Sequence, residues 1–143
     1  MGGADPAVRD AASRAWVEWE DHHVAIGSGG YVPDPRWQDD EVRVTFATLV
    51  THYWSHAAFC DPTILDRMSL LAGIPGFLVH GRRDVSGPVI MPWLLHRAWP
   101  GSELVVAEDE GHGGPGMVDA WTAANHRLAD RLGGISGSAA PSR

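Results

Sequence analysis

Two short apolar runs constrain this chain more than any other feature. Gly76-Phe77-Leu78-Val79-His80 is closed by Gly81, and Glu103-Leu104-Val105-Val106-Ala107 follows the break at Pro100-Gly101. Runs of this length, bounded by turn residues and lacking polar alternation, have the pattern of strands buried on both faces. Between them Pro88 to Trp99 reads as a helix stopped by Pro100-Gly101. Strand, helix, strand implies a right-handed parallel crossover, and therefore an α/β fold.

The residues upstream read as helices. Asp5 can cap a helix with Pro6 at its first position, running to near Glu20 with Val8, Ala12, Ala15, Trp16 and Trp19 on one face. Gly27 to Trp37 is a Gly/Pro loop, and Asp39-Asp40-Glu41 places acids at the start of a second helix reaching about Phe59. There Val42, Phe46, Leu49, Val50, Tyr53 and Trp54 recur at helical spacing, the mark of a core-facing stripe rather than a cofactor box. Asp61-Pro62 opens a short helix that ends by Ala72-Gly73. A last amphipathic helix runs from about Met117 to Leu132. The expected division is a helical cap portion over 1–73, an α/β core portion over 74–132 and a disordered Gly/Ser/Ala tail over 133–143.

Two parallel strands with three or four helices leave a sheet edge and a sheet face uncovered. Such a unit is expected to be part of a larger doubly wound sheet, a helical cap feeding its last two strands, with polypeptide from upstream supplying the rest.

Composition narrows the partners. A formal charge of -7, from 18 acidic against 11 basic residues, provides no basic stripe for a phosphate backbone and argues against nucleic acid. No window approaches the roughly 18 apolar residues of a membrane span, and the N-terminus has no basic region followed by an apolar run. Cys60 is the one cysteine, which excludes a disulfide within the chain and fits a cytoplasmic setting. Nothing in the residue pattern calls for a metal or organic cofactor. His52 and His56 stand four apart on the second helix, but Tyr53 occupies the place where a zinc peptidase helix needs glutamate.

In an open parallel sheet the chemistry sits in the loops past the carboxyl ends of the strands. The first strand is followed by Gly81-Arg82-Arg83-Asp84 and the second by Glu108-Asp109-Glu110-Gly111-His112. Taken singly, an acid in a turn and a histidine after glycine are commonplace. Placed after consecutive strands, they have the order Asp then His found in α/β-hydrolases. There a neutral imidazole takes the proton of a serine, and a buried carboxylate holds the imidazole tautomer and stabilises the imidazolium that forms.

The residues His80-Gly81-Arg82-Arg83-Asp84-Val85, Pro88, Leu95-His96-Arg97-Ala98-Trp99-Pro100, Glu103-Leu104 and Gly111-His112 resemble the C-terminal signature of proline iminopeptidases. The likeness extends over most of Trp16 to Leu132. It implies the C-terminal part of an α/β-hydrolase fold: a helical cap segment, the last two parallel strands and the final helices. It further implies a serine aminopeptidase that, when complete, releases N-terminal proline from peptides, with Asp84 and His112 as two members of its triad.

The Trp19-Glu20 pair matches a Trp-Glu element that the family uses to bind the free N-terminal amine of its substrate. The resemblance thus makes Glu20 the candidate amine anchor, the alternative being a solvated acid near a helix end. Where the family carries a second glutamate before Asn-His-Tyr, this chain reads Val50-Thr51-His52-Tyr53. Valine cannot bind an ammonium group, so amine recognition is expected to be altered.

No Gly-x-Ser-x-Gly elbow exists in the chain. Gly27-Ser28-Gly29-Gly30 has the wrong spacing, and Gly134-Ile135-Ser136-Gly137 lacks a preceding strand. His112-Gly113-Gly114-Pro115-Gly116 spells an oxyanion-loop motif, but it follows the last strand and leads into the last helix, which suits His112 as base. The nucleophile and the oxyanion donors are expected from elsewhere, and the chain alone is not expected to hydrolyse peptides. Three readings stay open. One is such a peptidase part, working with the missing N-terminal half. Another is a non-catalytic remnant or interaction module that associates with itself or another chain through its sheet edge. The third is part of an esterase or amidase relative with an altered cap.

Overall fold

A computed structural model describes residues 5–137, with side chains to residue 131. Helix α1 (Pro6–Ala25) is capped by the Asp5 carboxylate, which accepts from the Ala7 N–H, and has Pro6 in its first turn. It runs about a turn past the expected end near Glu20. His22 and His23 suit the negative end of the helix dipole, and the backbone turns extended at Ile26 before Gly27 takes φ +81°. A short 3₁₀ turn at Pro35–Gln38 leads into α2 (Asp40–Ser55), where the Asp39 carboxylate accepts from the Glu41 and Val42 N–H groups. Helix α2 stops short of Phe59. Ala57, Ala58 and Phe59 all take positive φ, a left-handed turn that a continuing helix cannot accommodate. A 3₁₀ helix over Leu65–Leu71 closes the helical half; its N-cap position is Ile64, with no side-chain cap, and the Asp66 carboxylate accepts from the Thr63 N–H and hydroxyl just before it.

Strand β1 (Gly76–Gly81) pairs in parallel with β2 (Ser102–Ala107), in register from Gly76 with Ser102 to Gly81 with Ala107. Helix α3 (Ile90–Ala98) makes the crossover and packs on both strands. Helix α4 (Pro115–Gly137) also contacts both. Residues 133–137 are therefore helical, against the expected disordered tail, and extend a helix already nucleated upstream. Residues 138–143 of that tail lie outside the described residues.

Coverage differs from expectation. The strand interiors are half-buried rather than buried on both faces, because two strands offer no third neighbour and the described helices cover the sheet only in part. Among the described residues the buried apolar side chains are Val17, Ala47, Met68, Met117 and Ala124. The expected stripe of α2 is only partly covered: Phe46 and Val50 are half-buried, whereas Val42, Leu49, Tyr53 and Trp54 are exposed, as are Val8 and Trp19 on α1. The helices meet through Ser13, Val17 and Asp21 on α1 and Arg43 and Ala47 on α2. Beside these residues the Trp16 ring meets Phe46 and Trp54, and Trp19 meets Trp54, so apolar periodicity located the aromatic part of the seam and missed its polar part.

Candidate functional site

The two strand ends are bound together before any side chain is considered. The Arg82 N–H donates to the Ala107 carbonyl at 2.9 Å, and the Arg83 N–H to the Glu110 carbonyl at 2.8 Å. Exposed ion pairs follow the same line, Arg82 forking onto Glu108 and Arg83 reaching Asp109. The loops approach so closely that a Cβ on Gly81 would lie 2.0 Å from the Gly111 carbonyl oxygen. The end of α1 closes over them, since a Cβ on Gly111 would lie 2.7 Å from the Ile26 carbonyl oxygen. The Glu110 carboxylate accepts from the Gly116 and Met117 N–H groups, pinning the start of α4 next to the loop that bears His112.

Within this frame Asp84 is buried, and its Oδ2 lies 3.1 Å from His112 Nδ1. The other oxygen, Oδ1, accepts three donors: the Ser86 N–H at 2.9 Å, the Ser86 hydroxyl at 2.6 Å and the Gly87 N–H at 3.1 Å. Ser86 Oγ lies 2.7 Å from His112 Nδ1. His80 points its Nε2 at the Gly87 carbonyl, 3.8 Å from Asp84 Oδ2. The His112 ring is half-exposed, and its Nε2 has no hydrogen-bond partner among the described residues. An imidazole held at Nδ1 by a buried carboxylate and open at Nε2 can exchange a proton with a group brought to Nε2.

Burial by itself would raise the Asp84 carboxyl. The hydrogen bonds from the Ser86 hydroxyl, the Gly87 N–H and His112, together with the imidazole charge, outweigh it and hold the group below the usual carboxylate range. A folded-state value below the unfolded value of about 3.9 adds stability above that pH, which is lost as the pH falls through the folded value. The urea midpoints of the chain and of Asp84→Asn should therefore differ at neutral pH and converge as the solution is acidified below about pH 4. A gap independent of pH would contradict this.

Glu20 is not brought to this pair. It is half-buried on α1, makes no hydrogen bond or ion pair among the described residues, and lies about 9 Å along the helix axis from Ile26. Val50, on α2, is half-buried as well. Ser86, Glu110 and His80 entered no reading of the sequence as site residues. The Asp84-Val85-Ser86 spacing is that of a side-chain turn, in which a carboxylate accepts two residues on, and was the signal available for Ser86.

No family model matches the chain. A probable proline iminopeptidase of Streptomyces coelicolor is 40% identical over 113 residues, covering 76% of this chain and 34% of that protein. The proline iminopeptidase of Arabidopsis thaliana is 32% identical over 137 residues, 93% of this chain and 36% of that protein. That of Xanthomonas citri is 32% identical over 137 residues, 87% of this chain and 41% of that protein. The chain thus spans between about a third and two-fifths of the length of these curated relatives. Likeness to several such proteins over most of its residues shows that the chain belongs to the proline iminopeptidase family, of whose members it represents a C-terminal part.

Proposed function

We propose that this chain contributes the acid and base of a serine aminopeptidase that releases N-terminal proline from peptides. Asp84 orients, His112 is general base and acid, and the serine and oxyanion donors come from polypeptide beyond these 143 residues. The helices before β1 then form part of a substrate cap, and β1 and β2 are the last strands of an α/β-hydrolase sheet. A cytoplasmic setting suits the single cysteine, and no described helix is long and apolar enough to cross a membrane.

The observation that carries this reading is the 3.1 Å contact between buried Asp84 and His112 at the ends of consecutive parallel strands, with Nε2 open. The names of the relatives supply the substrate class. The test combines the chain with the nucleophile-bearing part of a relative and assays a prolyl amide against a simple ester. Prolyl amide turnover supports the reading, preference for the ester moves the protein to an esterase relative, and no turnover from a folded complex refutes catalysis.

Glu20 is the proposed anchor for the substrate ammonium, through a charge-assisted hydrogen bond. In the combined enzyme Glu20→Gln should raise KM for a free N-terminal prolyl substrate about tenfold with kcat little changed, the pattern of lost uniform binding. An unchanged KM would return Glu20 to a solvated acid.

A second reading rests on the unpaired edges of the two-stranded sheet and on exposed Trp54, Tyr53 and Leu49. The chain would then be an association module. A cooperative melt with a defined oligomer in the absence of any partner would favour it.

A further inference from the structure

Two oxygens crowd His112 Nδ1 and a third crowds one of them, and protons must separate these atoms. Ser86 Oγ lies 2.6 Å from Asp84 Oδ1 and 2.7 Å from His112 Nδ1, while Asp84 Oδ2 lies 3.1 Å from the same nitrogen. The serine hydroxyl has one proton to place. If it pointed at an unprotonated Nδ1, the 2.6 Å contact with an ionised carboxylate would hold no proton, and the nitrogen lone pair would face Oδ2. If it points at Asp84 Oδ1 and the imidazole carries its proton on Nδ1, every short contact holds a hydrogen. The Nδ1–H is then shared between Ser86 Oγ and Asp84 Oδ2, and Nε2 is left unprotonated.

We propose that Ser86 is a positioning residue: its hydroxyl, donating to Asp84 and accepting from His112, holds the imidazole in the tautomer whose Nε2 can act as base. The proposal rests on the reading of His112 as that base. The ring needs such a tie because it is half-exposed, with little packing to fix its orientation. Ser86 meets both partners across a short turn, with its own N–H also bound to Oδ1. The serine oxygen is the closer of the two acceptors to Nδ1, so the carboxylate alone does not define the contact.

The test reads the ring directly. ¹⁵N spectra of His112 in the full chain, above the pH of ring titration, should show Nδ1 protonated and Nε2 bare. Ser86→Ala should turn this into a mixture of tautomers, and Ser86→Thr, which keeps a hydroxyl, should restore it. Ser86 is exposed, so its loss leaves the core untouched. Unchanged spectra in Ser86→Ala, or a parent chain with Nε2 protonated, overturn the proposal. In the combined enzyme Ser86→Ala should lower kcat about tenfold, the worth of about one hydrogen bond, with KM unchanged and Ser86→Thr rescuing activity. The two readings fail separately. A tautomer shift without any activity in the combined enzyme would leave the bridge standing and remove the peptidase, whereas full activity with no shift would do the reverse.

Discussion

In an enzyme assembled from this chain and the nucleophile-bearing part of a relative, His112→Ala lowers kcat on a prolyl amide by about 10⁶, with KM changed by less than about threefold. The size follows from the role proposed for the ring. Without an imidazole at Nε2 the serine hydroxyl must lose its proton to water, and the leaving amine has no acid to protonate it. What remains is the contribution of binding and of the oxyanion donors, the latter supplied by polypeptide outside this chain. Asp84→Asn is expected to cost about 10⁴, because an amide can donate to Nδ1 and favour the tautomer that places hydrogen on Nε2, toward the serine. Groups that act as a unit are not additive, so the double variant should be little worse than His112→Ala alone. Steady-state kinetics on the three variants check this, and His112→Ala retaining more than about a tenth of the parent kcat would remove the histidine from the base role.

The parts of the chain that were legible in the sequence are those where one signal has one cause. Gly76–His80 and Glu103–Ala107 are apolar runs closed by Gly and Pro, and both are strands, in parallel, with α3 between them. Strand ends in a parallel sheet converge, which is why Asp84 and His112 could be paired before their 3.1 Å separation was seen. The buried faces of α1 and α2 were legible only in part. Apolar spacing selected Trp19 and Trp54, which are exposed, and passed over Ser13, Asp21 and Arg43, which are buried. A periodicity argument finds only apolar contacts: it selected Trp16, Trp19, Phe46 and Trp54, whose rings meet between the helices, and not the buried guanidinium beside them. Ser86 was missed for a related reason. Its partners lie on two loops, and only the tertiary approach of Gly81 and Gly111 brings His112 to it.

Replacing Arg43 by alanine should cost about 3 kcal/mol and lower the melting temperature by about 10 °C. Arg43 is 1% exposed, and each arm of its guanidinium is occupied. Its Nε donates to Ser13 Oγ at 3.1 Å, Nη1 to the Trp37 carbonyl at 2.7 Å, and Nη2 to Asp10 and Asp40. Truncation leaves the buried Ser13 hydroxyl without its donor and opens a void the size of the side chain. The acids soften the loss, since the side chains of Asp10 and Asp40 are 40% and 70% exposed and can return to water. Arg43→Met separates the contributions: it keeps most of the volume and loses the hydrogen bonds, so it should cost about half as much as alanine. Thermal melts of the two variants measure the split, and an alanine variant within about 2 °C of the parent would show the network to be dispensable. The effect should reach the site. The end of α1 rests on Gly111, the residue before His112, so a looser α1–α2 seam should also speed amide exchange in the loop that carries the histidine.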